Sequence, residues 1–259
     1  MTISEDLLIE DHGPVRVVVL NRPDALNAAD EGLHGSLARV WSMLDGDDVR
    51  AVVLTGSGTA FSAGGDLQLL DRMVHDEVLR AAIMAEAAEI VRGMTSLRVP
   101  IVAAVNGPAV GLGCSLAAMS DIVLIEEHAY FADPHVALGL VAADGGALTW
   151  PLLTSLLRAK EHLLLGDRLP AEEAVALGLA NRVVPRGASR SEAMKLAERL
   201  AALPPQSVQA TKALLNEGVR SAVERQLGSA LASETASFDE PAFRANLAAM
   251  LERSRAPRS

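Results

Sequence analysis

Short runs of β-branched, apolar residues alternate with longer stretches rich in alanine and leucine through the first two thirds of the chain. Four of these runs are VRVVVL from Val15, VRAVVLTG from Val49, VPIVAAVNG from Val99 and DIVLIEE from Asp121. Short apolar runs bounded by glycine, proline and asparagine are typical of buried strands, and the stretches between them have the length of helices. The alternation predicts an α/β fold.

The strand pattern ends after NRVVP at residues 181–185, and residues 189–253 then predict one helix after another. We therefore divide the chain into a core, residues 1–188, and a C-terminal helical region, residues 189–259. The predicted helices carry stripes of leucine, alanine and methionine. Because a small helical module with such faces needs cover, we expect it to pack on a partner subunit.

Composition narrows the range of partners. Half of the 259 residues are apolar, which is enough for a sizeable core, and acidic residues outnumber basic ones by 33 to 23. With no basic cluster, nucleic acid is not an expected partner. No apolar run approaches the roughly 20 residues that span a bilayer, so we expect no membrane association and a cytoplasmic location. The single cysteine, Cys114, excludes an internal disulfide and a cysteine-rich zinc site.

Two glycine-containing loops follow predicted strands and can direct backbone N–H groups at a ligand. The stretch GTAFSAGGDL, residues 58–67, places Gly64 and Gly65 side by side. The stretch VNGPAVGLGCSLAAMSD, residues 105–121, passes through three glycines and enters a predicted helix, whose N-terminus carries unpaired N–H groups. Two such donors on one oxygen would stabilise the charge that develops on a carbonyl. The alternative is that both are ordinary turns that use glycine for positive φ.

Two other motifs fit less well. GLGCSL begins like a dinucleotide-binding loop, but Leu116 stands where the third glycine is needed. GCSLA around Ser115 approximates a nucleophile elbow, but several residues separate it from the strand, and the last histidine, His162, comes early for the usual order of serine, acid and histidine. A serine hydrolase is a distant alternative.

The order of five segments resembles the enoyl-CoA hydratase/isomerase family, also called the crotonase superfamily. These segments are LNRPDALNA from Leu20, FSAGGDL from Phe61, VNGPAVGLGCSLAAMSD from Val105, FADPHVALGLVAADGG from Phe131 and PAEEAVALGLANRVVP from Pro170. The resemblance runs over nearly the whole chain. It implies a spiral of β-β-α repeats with C-terminal helices that build a homotrimer or a dimer of trimers. It also implies an acyl-CoA thioester substrate, with coenzyme A as part of that substrate, and no separate cofactor or metal.

The resemblance assigns roles to individual residues. The two oxyanion donors are the backbone N–H groups of Gly65 and Leu112. Asp24 stands where many relatives carry a lysine, and Arg22 is a candidate contact to the phosphates of coenzyme A. The other residues that the resemblance places at the substrate are Ala25, Leu26, Ala63, Asp66, Leu67, Gly111 and Pro134.

The catalytic acids of the hydratase members are replaced here. Those members use two glutamates, whose positions match Ser115 and His135. Adding water to a conjugated thioester needs one group for the water and one for the proton at the α-carbon, and a serine does not act as a carboxylate. Hydration by the usual pair of glutamates is therefore not expected. Some other members place an acid past the xGL segment, and Asp144 lies one position beyond that alignment.

His135 is the predicted proton-transfer residue, because imidazole titrates near neutral pH. The alternative is a core histidine beside a loop. For Ser115 we weigh the orientation of water or a ligand against a small residue that allows close helix packing. Asp144 either orients His135 or acts as an acid, or it is the N-cap of the helix that begins in GGALTWPLL, and Asp133 is predicted as a turn residue. The histidines predicted at the surface or in the core, without metal-ligand spacing, are His12, His34, His75, His128 and His162.

The sequence thus predicts an acyl-CoA enzyme that stabilises a thioester enolate in a backbone oxyanion hole and hydrates or isomerises an enoyl-CoA. One alternative is a CoA-thioester hydrolase or a ring-opening enzyme with the same oxyanion hole. Another is a non-catalytic acyl-CoA-binding subunit that has lost the acids. The acyl group depends on a helix expected from Asp71 to Leu97 and on neighbouring subunits.

Overall fold

The computed structural model describes residues 2–46 and 48–255; residues 1, 47 and 256–259 of the predicted core and helical regions lie outside the described residues. The strands are β1 (Thr2–Ser4), β2 (Leu7–His12), β3 (Val15–Leu20), β4 (Ala51–Gly56), β5 (Ile101–Val105), β6 (Ala109–Val110), β7 (Ile122–Glu126), β8 (Tyr130–Ala132), β9 (Leu169–Pro170) and β10 (Arg182–Val184). The helices are α1 (Glu31–Met43), α2 (Leu67–His75), α3 (Glu77–Ser96), α4 (Leu112–Ala118), α5 (His135–Leu138), α6 (Gly146–Leu153), α7 (Leu156–Leu165), α8 (Ala171–Ala176), α9 (Ser189–Ala201), α10 (Pro205–Leu215), α11 (Glu217–Ser237) and α12 (Pro241–Arg255), with a 3-10 turn at Pro23–Ala25.

The central sheet has the strand order β1-β2-β3-β4-β5-β7-β10. β2 pairs antiparallel with β1 and β3, and the other neighbours are parallel. The residues of β4 and β5 are buried almost throughout, as expected for a parallel sheet with both faces covered. The four runs predicted as strands form β3, β4, β5 and β7. The predicted α/β class is confirmed.

Strands β1 and β2 lie in the acidic start of the chain, where the sequence carried no strand prediction. In β2, Leu7 and Ile9 are buried, but the strand ends in exposed Asp11 and His12. So short an alternation is a weak strand pattern on its own. Strand β2 therefore depends on its antiparallel pairing with β3, in which Leu7 lies opposite Leu20.

A second, smaller sheet has the order β6-β8-β9. β6 and β8 each follow a strand of the central sheet and precede a helix, which gives the units β5-β6-α4 and β7-β8-α5. This is the β-β-α order that the resemblance implies. An isolated bridge from Ser62 to Ala109 joins the loop at residues 58–67 to β6, and a second from Ala29 to Gly65 joins the same loop to the segment before α1.

Helices cover both faces of the central sheet. On one side α1 packs on α3, where a Cβ atom at Gly93 would lie 2.8 Å from the buried Trp41 ring, so glycine allows the two helices to approach closely. On the other side, Ala193 and Ala197 of α9 pack with valines of β3, β4 and β5. Helix α9 therefore covers the sheet of its own chain.

The helices predicted over residues 189–253 are confirmed as α9 to α12. Helix α11 packs against α3 and α6, and α12 against α2 and α5. Leu214 and Leu215, at the end of α10, are largely exposed. A role of this region in oligomer formation stays a prediction. In the described part of the chain, no helix combines the length and apolar character needed to cross a membrane.

The single helix expected from Asp71 to Leu97 is wrong, because the segment forms α2 and α3 with a break at Asp76. The backbone of Asp76 is extended, and its carboxylate accepts hydrogen bonds from the N–H groups of Val78 (3.0 Å) and Leu79 (2.9 Å). An aspartate that satisfies the first N–H groups of a helix stabilises a new helix start. The periodic pattern runs across this N-cap and conceals it.

Glu126 holds the start of α9, which has no capping side chain of its own. Its buried carboxylate accepts hydrogen bonds from the N–H of Gly187 (2.8 Å) and from the N–H (3.2 Å) and hydroxyl (2.6 Å) of Ser189. Because hydrogen bonds to a charged acceptor are strong, we expect Glu126→Ala to lower the free energy of unfolding by about 2–4 kcal/mol. Urea unfolding at fixed protein concentration measures the change.

The neighbouring Glu127, whose side chain is exposed, provides the control. We expect Glu127→Ala to change the free energy of unfolding by less than about 0.5 kcal/mol. Equal losses in the two variants would mean that Glu126 does not anchor α9.

Candidate active site

The two glycine-containing loops lie against each other through their backbones. The N–H of Val110 donates to the carbonyl oxygen of Ser62 (2.9 Å). Gly64 has φ +89°, and a Cβ atom there would lie 2.8 Å from the carbonyl oxygen of Val110. Both the conformation and the space therefore require glycine at this position.

This contact brings Gly65 and Leu112 to one cavity. The bridge to Ala29 uses the carbonyl of Gly64 (2.7 Å) and the N–H of Asp66 (3.0 Å), so neither bond occupies the N–H of Gly65. Leu112 is the first residue of α4, where N–H groups have no partner within the helix. Both predicted oxyanion donors thus belong to backbone groups that the surrounding secondary structure leaves available.

The cavity has a volume of about 550 Å³ and contains most of the predicted site residues. Its walls are mainly apolar, with side chains from α2, α3, α5, α11 and α12. A largely apolar cleft with a few convergent polar groups is the usual form of a small-molecule site. The predicted residues that line it are Ala25, Leu26, Ala63, Gly65, Asp66, Leu67, Gly111, Leu112, Pro134, His135 and Asp144.

His135 is the first residue of α5 and projects into this cavity between two carboxylates. Its Nδ1 is hydrogen-bonded to Oδ1 of Asp133, and its Nε2 lies 3.8 Å from Oδ2 of Asp144. The ring also contacts the second loop, since a Cβ atom at Gly111 would lie 3.5 Å from Cε1 of His135. The imidazole is therefore fixed at Nδ1, its Nε2 faces Asp144, and its Cε1 edge lies beside the second loop.

The two carboxylates control the charge of His135. Burial lowers the pKa of the imidazole, but the negative charges of Asp133 and Asp144 outweigh this effect and raise it well above 6.5. Burial raises the pKa of Asp144, although the charge of His135 and the hydrogen bond from Ser115 oppose the increase. Neighbouring groups with strongly shifted pKa values in one cavity are common at catalytic sites.

Ser115 lies behind Asp144 and does not line the cavity. It is fully buried, and its hydroxyl donates to Oδ1 of Asp144 (3.0 Å). The geometry therefore does not support direct orientation of water or a ligand by Ser115. It positions the carboxylate of Asp144, and a Cβ atom at Gly145 would lie only 2.9 Å from the Cβ of Ser115.

The structural alternatives for both aspartates are corrected. The N-cap of α6 is Gly145, and no side chain caps this helix, so the N-cap alternative for Asp144 is wrong. Asp133 is buried, and besides the ring of His135 it accepts the backbone N–H of that residue (3.4 Å). Asp133 therefore does more than form a turn, because its hydrogen bond to Nδ1 fixes the orientation of the imidazole.

Arg22 does not line the cavity. Its guanidinium lies 3.0 Å from Asp30 and 3.4 Å from Asp66, with Asp6 at 3.8 Å. These carboxylates already neutralise the positive charge of Arg22. The geometry therefore does not support a contact between Arg22 and phosphate, and Asp24 adds an acidic side chain to the cavity wall.

Asn27 shapes the loop that carries Leu26. Leu26 and Asn27 have φ values of +52° and +56°, which is unusual for residues other than glycine. The buried amide of Asn27 donates to the carbonyl oxygens of Ser57 and Ala60, each at 2.8 Å. These bonds hold Leu26 in a left-handed conformation with 44 % of its surface exposed at the cavity.

Glu234 of α11 lines the same cavity and had no role in the sequence predictions. It is buried, and its Oε2 has no hydrogen-bond partner in the described part of the protein. Burial raises the pKa of Glu234 to about 8. The one available sequence signal is its spacing, because Glu234 lies three residues after Leu231 and four before Phe238, both of which are buried.

The other histidines are mostly at the surface or in the core, as predicted. His75 is exposed, whereas His162 is buried. His34 is buried and also lines the cavity, where its Nδ1 lies 2.9 Å from Oε2 of Glu86. Spacing gives no indication of this position, since His34 reaches the cavity only through the packing of α1 on α3.

The chain is similar to known proteins over most of its length. A family model described as enoyl-CoA hydratase/isomerase matches residues 10–257. A short-chain-enoyl-CoA hydratase of Clostridium acetobutylicum is 32% identical over 237 residues, covering 91% of this chain and 88% of that protein. A mevalonyl-coenzyme A hydratase of Beauveria bassiana is 37% identical over 212 residues, covering 79% and 76%.

The predicted fold is confirmed by a solved structure, an enoyl-CoA hydratase/isomerase from Mycobacterium paratuberculosis. It has 49% sequence identity and a TM-score of 0.94, and the match covers 96% of this chain and all of that one. The spiral arrangement expected from the resemblance is therefore the fold of the chain.

Asp133→Asn tests the electrostatic control of His135. Without the Asp133 carboxylate, Asp144 is the main negative charge that still counteracts the lowering of the His135 pKa by burial. The pKa of His135 should therefore fall toward or below 6.5. Histidine-selective NMR over a pH titration measures the change, with the exposed His75 as the internal reference.

The raised pKa of His135 also makes the free energy of unfolding of the wild type depend on pH. Because folding raises the pKa of His135, its protonated form contributes stability that is complete below about pH 6.5 and is lost as the pH rises through the raised pKa. The difference in free energy of unfolding between wild type and Asp133→Asn should follow this course. An identical His135 titration in both proteins would contradict the assignment.

Proposed function

The chain belongs to the enoyl-CoA hydratase/isomerase family, and from this premise we propose that it binds an acyl-CoA thioester and polarises its carbonyl oxygen with the N–H groups of Gly65 and Leu112. The observation that carries the proposal is the convergence of these two available donors and His135 on one cavity. Two backbone donors stabilise the negative oxygen of a thioester enolate, and removing one such donor from an enzyme commonly costs several kcal/mol of transition-state stabilisation.

His135 transfers the proton at the α-carbon in this proposal. Asp133 holds Nδ1, so Nε2 is the nitrogen left for proton transfer. The imidazolium can protonate the α-carbon of an enolate, and the neutral ring can remove that proton in the reverse direction. Both steps fit hydration or double-bond isomerisation of an enoyl-CoA, which is the reaction class we propose.

The cavity also bears on the alternatives. Ser115 lies outside the cavity wall, so a serine acyl-enzyme has no support from the geometry. A non-catalytic binding subunit would not need buried, titratable side chains at the reacting end, yet His135, Asp144 and Glu234 all line this cavity. We place the enzyme in the cytoplasm, with coenzyme A entering as part of the substrate.

A panel of enoyl-, dienoyl- and cyclic acyl-CoA substrates tests the reaction class. Mass spectrometry separates hydration, which adds the mass of water, from isomerisation, which leaves the mass unchanged, and from hydrolysis, which releases free coenzyme A. We expect one of the first two outcomes. Free coenzyme A as the main product, or tight binding with no turnover, would contradict the proposal.

His135→Gln tests the proton-transfer role. Glutamine keeps polarity and approximate size but does not titrate, so kcat should fall by about 10²- to 10⁴-fold with little change in acyl-CoA binding. Steady-state kinetics and calorimetry measure the two quantities. The control is His75→Gln at the exposed end of α2, which should leave both unchanged. Wild-type turnover in His135→Gln would move the role to Asp144.

We further propose a homotrimer or a dimer of trimers. Leu214 and Leu215 are 73% and 76% exposed in the single chain, and exposed apolar side chains in adjacent positions favour association. Light scattering on the intact chain should give the mass of a trimer or a hexamer. A monodisperse, fully active monomer would contradict this assembly.

A further inference from the structure

Glu234 is a buried acid in the wall of the substrate cavity. Its side chain belongs to α11, far along the chain from the two loops, yet it lines the cavity together with His135 and Leu112. The residue is 6% exposed, and Oε2 has no hydrogen-bond partner among the described residues. Leaving a buried carboxyl oxygen unpaired is unfavourable, so its presence in the wall of a cavity points to a functional role.

Helix α11 is anchored beside the part of the cavity that contains His135 and Asp144. The N–H of Val141 donates to the hydroxyl of Ser237 (3.4 Å), and that hydroxyl donates to the carbonyl oxygen of Glu234 (2.6 Å). The segment that begins at Val141 carries Asp144. Among the charges that act on Glu234, that of His135 is the strongest and that of Asp144 follows.

The neighbouring carboxylates are already engaged. Asp144 accepts the hydroxyl of Ser115 at Oδ1 and faces His135 with Oδ2. Asp133 binds Nδ1 of His135, and although its Oδ2 is unpaired, this residue does not line the cavity. Among the buried carboxyl groups of the described residues, Glu234 combines a position on the cavity with an unpaired oxygen.

We propose that Glu234 is the second catalytic residue of a hydratase reaction, acting on the oxygen at the β-carbon while His135 acts on the proton at the α-carbon. The inference rests on the proposed function and narrows it from hydration or isomerisation to hydration. It also explains how the chain can replace the glutamate pair, since the second carboxyl group comes from the C-terminal helical region.

The proton balance closes with water as the only co-reactant. In hydration, ionised Glu234 takes a proton from water as the water oxygen bonds to the β-carbon. The electron pair of the carbon–carbon double bond moves into the enolate, and the His135 imidazolium then protonates the α-carbon. The product is the 3-hydroxyacyl-CoA, with Glu234 protonated and His135 neutral. Proton exchange with solvent returns Glu234 to the ionised form and His135 to the imidazolium. Dehydration follows the same steps in reverse.

The surroundings of Glu234 suit this exchange. Burial raises its pKa to about 8, opposed by the charge of His135, so both ionised and neutral forms are accessible near neutral pH. The guanidinium of Arg80, on the adjacent α3, is paired with Asp239 (3.1 Å). The titratable groups that line the cavity with Glu234 are Asp24, His34, Asp66, His135 and Asp144, and the charge of Asp133 acts on Glu234 from outside the cavity wall.

The test separates the two proton transfers. Exchange of the α-protons of a saturated acyl-CoA in deuterium oxide requires His135 and the oxyanion donors but no group at the β-carbon. Hydration of the matching enoyl-CoA requires all of them. We compare wild type, Glu234→Gln, His135→Gln and the control Glu224→Gln, in which an exposed glutamate of the same helix is replaced.

Glu234→Gln should lower kcat for hydration by about 10²- to 10⁴-fold while α-proton exchange stays within about threefold of wild type. His135→Gln should lose both reactions, and Glu224→Gln should keep both. Retained exchange also shows that Glu234→Gln is folded. Hydration within about threefold of wild type in Glu234→Gln, or equal loss of both reactions, overturns the inference.

The behaviour of the wild type distinguishes failure of the inference from failure of the proposed function. A wild type that exchanges α-protons but hydrates no enoyl-CoA overturns the role of Glu234 and leaves the enolate chemistry in place. A wild type that catalyses neither reaction overturns both.

Discussion

The close backbone contact between the two glycine-containing loops is the constraint on which the site depends. Gly64 touches the carbonyl of Val110 at a distance that no side chain would allow. If the loops moved apart, Gly65 and Leu112 would no longer line one cavity, and the two donors of the proposed oxyanion hole would lose their preorganisation. The small sheet and the bridges between the loops maintain this contact.

Around these donors, the protein buries several acids next to one imidazole. Each carboxyl group would be costly to bury alone, but Asp133 pairs with His135 and Asp144 pairs with Ser115. The result is a cluster in which the positive charge of the imidazolium offsets neighbouring negative charge. Stability and proton transfer therefore draw on the same groups, and a change in one carboxylate alters the titration of the others.

Much of the site could be predicted from local sequence, because Gly65, Leu112 and His135 lie in short motifs whose order is specific. The partners of His135 were harder to assign. Asp133 and Asp144 stand in segments where turns and helix N-caps are the common roles of aspartate, and only the packing of α5 against these segments distinguishes the roles. For Arg22, a positive charge beside a substrate loop favoured phosphate, and the surrounding carboxylates appear only in three dimensions.

The cavity also sets a condition on how the protein is made. Its wall begins at Asp24 and includes Met250 and Ser254 of α12, so the pocket closes only when nearly the entire polypeptide has left the ribosome. Contacts between such distant positions form late, since they depend on closing a long loop of chain. A partly synthesised chain already contains both oxyanion loops but has no closed pocket around them. The complete pocket therefore exists only after α12 has folded onto the rest of the molecule.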